Sequence, residues 1–125
     1  MHKIVITAGE ATVPAELDES PTAQKIWEAL PIQATASIWG DEIYFEIPVK
    51  MAQAPDAHAE VDVGTLGYWP MGHAFCIFFG PTPASTDGKP RAYSPVNIIG
   101  KVTGDLAPLH AVPHGAPVRV AKAKV

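Results

Sequence analysis

The residues best suited to holding a ligand are aromatic. Five of the chain's ten aromatic residues fall within Tyr68–Phe79, and Tyr93 lies just beyond. Ligand pockets are mostly apolar with a few placed polar groups. Tyr68, Trp69, Phe75 and Phe79 supply apolar surface, and Thr82, Arg91 and Asn97 supply polar groups. Together they form a candidate ligand-binding cleft for a small molecule or a peptide end. The competing reading is that the rings are simply core. Phe78 and Phe79 are adjacent, so a strand points them to opposite faces. The expected site lies between the Gly80–Pro95 loop and Tyr68-Trp69, floored by Phe79 and rimmed by Trp69, Arg91 and Asn97.

Other polar patterns carry less chemistry. His58, Glu60 and Asp62 stand at i, i+2 and i+4 and would share one face of a strand. Those residue types bind metals, but a solvated strand face is the better account of them. His110 and His114 have helical spacing, and Pro113 between them breaks the helix that would align them. Gly64-x-x-Gly67 lacks the Lys-Ser/Thr of a phosphate loop. Ser20, Ser37, Ser85 and Ser94 lack the strand–turn–helix setting of an activated nucleophile. Asp41-Glu42 reads as part of a hairpin turn that needs no catalytic role. The lone Cys76 sits in an apolar run and reads as a small buried hydrophobe. No catalytic residue, metal or cofactor is therefore expected.

The composition bounds the rest. At 125 residues the chain fits one domain, 1–125, with room for a real core. A net charge of −4 and scattered Lys/Arg argue against nucleic acid as a partner. No apolar run approaches the ~20 residues of a membrane span, and Met1–Ile6 leads into a charged turn too early for a signal peptide. The expectation is a cytoplasmic protein with no membrane partner and a small molecule or peptide as ligand. Thirteen prolines favour short strands and shaped loops over a helical fold.

The elements that must position the candidate residues follow from local pattern. Lys3–Ala8 and Ala11–Leu17 read as a hairpin, with Pro14 requiring an edge or a bulge. Ser20 caps a helix over about 20–30 with Pro21 at its first position. Ala23, Ile26, Trp27 and Leu30 form its apolar stripe, expected to be buried. Ile32–Trp39 and Glu42–Val49 read as a second hairpin, Met51–Ala59 as loop and Glu60–Val63 as a short strand. His73–Phe79 is apolar in both phases, which predicts a strand covered on both faces. Gly80–Pro95 reads as a long loop of the kind that is usually functional. Val96–Val102 is a strand with a bulge or close approach at Gly100. A short helix over about 105–112, capped by Asp105, and a strand Pro117–Val125 alternating Val118, Val120 and Val125 complete the chain.

Three of these segments, in order, carry a resemblance. Ser20–Leu30, SPTAQKIWEAL, resembles the first helix of cyclophilins. Phe78-Phe79, Thr82-Pro83 and Asp87-Gly88-Lys89 resemble their Phe-Phe strand and the loop ending in Asp-Gly-Lys. Val96–Val102 followed by Gly104 resembles their penultimate strand and second helix. With its short length and the GYWPMGHAFCIFFGPTP block, the chain is most similar to the small prokaryotic cyclophilin-like proteins, an atypical family of unassigned function. The resemblance implies a mainly β fold: a closed antiparallel β-barrel of about eight strands with helices over its ends. It does not carry catalysis across. Prolyl-isomerising cyclophilins use an arginine in the hairpin after the first helix, and Ile32–Val49 has none. Their pocket tryptophan and histidine flank Asp-Gly-Lys, where Ser85, Thr86 and Pro90 stand in this chain; only Phe79 matches a pocket residue. The expected function is thus a binding module with an aromatic cleft and no prolyl isomerase activity. A weak prolyl isomerase and an accessory or regulatory subunit of a larger assembly are the alternatives. The oligomeric state is left open by the sequence.

Overall fold

The computed structural model describes residues 1–124; Val125, expected to extend the last strand, lies outside the described residues. In chain order the strands are β1 (His2–Ala8), β2 (Ala11–Leu17), β3 (Ile32–Thr35), β4 (Ser37–Ile38), β5 (Glu42–Glu46), β6 (His58–Glu60), β7 (Thr65–Trp69), β8 (Ala74–Phe78), β9 (Arg91–Val102) and β10 (Pro117–Lys122). One α-helix, α1 (Pro21–Ala29), follows β2, and short 3-10 turns cover Pro70–Gly72 and Ala107–Ala111. The expected mainly β, antiparallel character and the single clear helix are present.

The strands run in the order β3-β10-β1-β2-β9-β7-β8-β5-β4, with β6 paired to β9 off this path. β1 pairs with β10 from Ile4↔Lys122 to Ala8↔Val118, so the two ends of the chain lie side by side. The sheet is not the closed barrel expected. Its path ends at β3 on one side and β4 on the other, with no ladder between them. β3 and β4 follow one another with only Ala36 between them; β3 pairs only with β10 and β4 only with β5, so among the described residues no rung of this segment bridges the two ends of the path. A groove between Ala34-Thr35 and Phe45-Glu46 marks the break.

Ser20 caps α1 by accepting from the Ala23 N–H at 3.2 Å, and the helix stops at Leu30 before Pro31. Ala23 and Ile26 are fully buried, but Trp27 and Leu30 are only partly covered, contrary to the uniform burial expected of the stripe. Trp27 lies at the margin, stacked on His2 with ring centroids 4.2 Å apart and with Lys122 Nζ 4.6 Å from its ring. Pro14 pairs with Val5 of β1 and its carbonyl accepts from the Thr103 N–H at 2.9 Å, but the β2–β9 ladder begins only at Ala15, so the missing N–H falls beyond the last rung.

Two apolar clusters result from the two phases of β8. Phe75 and Ile77 face the main core with Ile43, Phe45, Leu66 and Tyr68; Phe45 and Phe75 stack with centroids 5.1 Å apart. Ala74, Cys76 and Phe78 face a second, smaller cluster with Val61, Ala92 and Val96. The outer face of β8 is covered by the first half of β9, through Ala92 and Val96. The Gly80–Pro95 loop is shorter than expected, because β9 already begins at Arg91. Its first half pairs with β6 over the outer face, and its second half joins the main sheet between β7 and β2. The switch uses an irregularity opposite Leu66/Gly67. Gly100 is the expected close approach: a Cβ there would fall 1.9 Å from the Glu16 carbonyl oxygen. Gly67 is a second one, since a Cβ would meet Val96 Cγ2 at 2.9 Å. No helix among the described residues is long and apolar enough to cross a membrane.

Candidate functional site

The seven candidate residues do not come together as one cleft. Tyr68 and Phe75 are core residues with no exposed surface. The Tyr68 hydroxyl donates to the Val49 carbonyl at 2.6 Å and accepts from the Met51 N–H at 3.1 Å, so it ties down a loop. Burial raises the Tyr68 pKa, and the bond from Met51 pulls it part of the way back. Phe79 joins the main core, with its ring edge-on to His110 at 4.8 Å. Phe78 is therefore the ring of the pair that faces the outer cluster.

The polar members are dispersed. Thr82 is buried and its hydroxyl donates to the Arg91 carbonyl, closing the loop onto β9. The Arg91 side chain is exposed. Asn97 is buried behind α1: its Oδ1 accepts from Ala54 N–H at 2.7 Å, and its Nδ2 donates to Thr22 Oγ1 and the Ala52 carbonyl, each at 3.0 Å. It holds the 51–54 loop. Of the seven, Trp69 alone lines the cavity described next.

That cavity, of about 140 Å³, lies on the outer face of β5, β8 and β7, beneath the first half of β9. Its form follows from residue size at paired positions. Tyr44 pairs with Cys76, which pairs with Gly67; Trp69 pairs with Ala74. The small side chains of β8 and β7 keep the floor low, while the rings beside them stand up as walls. Trp39 from the turn before β5 and Tyr93 from β9 complete the enclosure, with Ala92 and Val96 as the roof. The four rings meet edge to face in sequence. Trp39–Tyr93, Tyr93–Trp69 and Trp69–Tyr44 have centroids 6.3, 6.0 and 6.5 Å apart and planes inclined by 69, 77 and 79°. The Trp69 indole N–H donates to Ser94 Oγ at 2.6 Å, which fixes its plane. Tyr93 is 74% exposed and stands at the mouth.

The polar group inside is Glu42. It is only 5% exposed, and its Oε1 has no hydrogen-bond partner. A buried carboxylate without partners strongly disfavours its charge. Burial accordingly pushes the Glu42 pKa up from 4.5 to about 7, and interaction with the Cys76 thiol opposes this only in part. Burial first, and the Glu42 charge second, drive the Cys76 thiol well above its ordinary value, so it is an inert wall rather than a nucleophile. The sequence reading passed over Glu42 as a turn residue. The available signal was its phase: with Tyr44 it lies opposite to Ile43 and Phe45, but nothing local showed that this face would be covered.

His58 and Glu60 lie exposed on β6, and no cluster of three or more metal-ligating side chains occurs among the described residues. His114 Nδ1 accepts from the Ile38 N–H at 3.3 Å, and His110 lies 3.9 Å from Asp41, so the two histidines act separately.

Comparison with known proteins places this geometry in a family. No curated protein sequence matches the chain. The solution structure of the hypothetical protein AF2241 from Archaeoglobus fulgidus is 39% identical, with a TM-score of 0.84 over 98% of this chain and 95% of that one. The structure of McbB in complex with tryptophan shares the fold at 16% identity, with a TM-score of 0.68 over 98% of this chain and 45% of McbB. The cyclophilin-like family model matches residues 2–121, and the chain belongs to the cyclophilin-like family.

Proposed function

We propose that this protein is a small-molecule binding module whose site is the aromatic cavity over β5, β8 and β7, without prolyl isomerase activity. The observation that carries the reading is the unpartnered, buried Glu42 Oε1 inside a ring-walled cavity. An orphaned buried acceptor costs about 1–3 kcal/mol, more when charged, and a ligand that satisfies it recovers that cost. The volume suits a ligand or head group of about benzene size, since a dry cavity of ~150 Å³ holds benzene. The tryptophan complex of McbB supports the view that this architecture is compatible with small-molecule binding.

Prolyl isomerisation is disfavoured by the same residues. It must lower a barrier of ~18–20 kcal/mol with a donor or cation aimed at the proline amide. Phe79, the one match to a cyclophilin pocket residue, is packed into the core against His110. The cavity itself offers a carboxylate where a cation is needed.

Fragment screening by NMR tests the reading. Binders should move the Trp39 and Trp69 indole resonances together and leave Trp27, on the opposite side of the sheet order, unmoved. Fragments that instead gather at the Met51–Ala54 loop, beside Asn97, would overturn the assignment.

A further inference from the structure

We propose that the cavity takes a methylated ammonium cation, with the faces of Trp39, Tyr44, Trp69 and Tyr93 against its methyl groups and Glu42 as its counter-charge. The inference rests on the cavity being the binding site and adds the chemical class of its ligand. Three observations support it.

The first is the ring geometry. Successive rings are turned by 69, 77 and 79°, so they form sides of a box rather than a stack. The faces of such rings carry negative potential, and quaternary ammonium groups are recognised by cages of this kind. The second is charge. Glu42 is the one charged residue lining the cavity, and its free Oε1 has no donor. A cation supplies the missing opposite charge without requiring a hydrogen bond. The third is the poverty of acceptors. A primary ammonium brings three N–H donors, and a single carboxylate among aromatic faces leaves some of them unpaired. A trimethylated or quaternary ammonium brings none, and a dimethylated one brings a single N–H. A metal ion fits no better, because the rings cannot ligate it and no cluster of ligating side chains exists among the described residues.

Binding of this kind is linked to protons. With its carboxyl raised to about 7 by burial, the empty site is largely protonated below neutrality. A cation binds the ionised form, so occupancy expels the proton and affinity weakens as pH is lowered. The other titratable groups facing Glu42 are Cys76 from β8, Tyr44 on its own strand and Tyr93 from β9. Asp41 precedes it, with His110 of the 107–111 turn 3.9 Å from that carboxylate. Cys76 stays protonated throughout the working range. From the ionised fraction alone, affinity at pH 6 should be about tenfold weaker than at pH 8.

The test is titration of the full chain with tetramethylammonium chloride at constant ionic strength, followed by NMR and calorimetry, with sodium chloride and tert-butanol as controls and indole as a neutral aromatic probe. The expected result is saturable binding that shifts Trp39 and Trp69, weakens about tenfold from pH 8 to pH 6, and drops at least tenfold in Glu42→Gln. Tyr93→Ala, which removes an exposed wall, should weaken it comparably with no change in fold. Equal binding of tert-butanol, equal affinity at both pH values, or no response to tetramethylammonium would overturn the cation assignment. If indole still shifts the two tryptophans in that case, the cavity remains the binding site and only the ligand class is wrong. If no probe binds, both readings fall.

Discussion

Replacing Glu42 by Gln should remove most of the pH dependence of stability that this one carboxyl creates. Its pKa is about 7 in the folded state against 4.5 when free. Below pH 4.5 the group is protonated in both states and has no linkage effect. As pH rises, the unfolded chain ionises first and loses its proton to solvent, while the folded chain resists. Stability therefore falls between about pH 4.5 and pH 7 and levels off above. At 1.36 kcal/mol per unit the full effect is about 3 kcal/mol, most of it between pH 5 and pH 8. Glutamine keeps the shape but cannot ionise. Whatever fixed cost its amide brings to the apolar floor cancels when the same pair is compared at two pH values. The assay is urea unfolding of both proteins at pH 5, 6, 7 and 8. The stability of Glu42→Gln relative to the parent should rise by about 2–3 kcal/mol from pH 5 to pH 8, a relative midpoint shift on the order of 1 M. Parallel curves within about 0.5 kcal/mol would show that Glu42 is solvated or partnered in solution, and would remove the main support for the binding site.

Asn97→Ala should destabilise by about 2–4 kcal/mol, because it strands the Ala54 N–H and Ala52 carbonyl it now satisfies; hydrogen exchange should show the Ala54 amide losing protection. Phe75→Ala should cost about 3–5 kcal/mol in denaturant unfolding, as for a fully buried ring. Trp27→Ala should cost clearly less than that, about 1–2 kcal/mol, since only part of its ring is covered; equal losses would contradict the marginal placement of α1's last turn. Gly100→Ala forces a Cβ into the Glu16 backbone and should cost about 2–3 kcal/mol or abolish soluble expression. On short X-Pro peptides the protein should give no rate above the spontaneous one in a protease-coupled assay; a clear acceleration would reinstate the isomerase alternative.

Much of the scaffold was determined by short-range pattern. The Ser20-Pro21 start and the stop before Pro31 bounded α1 because capping and proline sterics act within a few residues. The period-two alternation of β5 and the doubly apolar β8 announced a strand buried on both faces, and Gly100 announced a close approach. The family was legible because three such segments recur in the cyclophilin order. Tertiary structure decided the rest. Alternation sorts Phe75 and Ile77 from Ala74, Cys76 and Phe78, but does not say which set faces the main core. That depended on the β5–β8–β7 register, which put Tyr44 and Gly67 beside Cys76 and set Tyr68 and Phe75 inside. The cavity needed residues from Trp39 to Val96 to converge, and the fate of Glu42 turned on β9 folding over it, pinned by Val96 against a glycine. The open sheet was likewise a non-local outcome: the Ile32–Ile38 segment pairs with β10, far away in the sequence, through its first half and with β5 through its second. Local sequence fixes which residues can share a face, because that depends on backbone period; whether that face meets solvent, core or a cavity depends on long-range pairing, which no short stretch encodes.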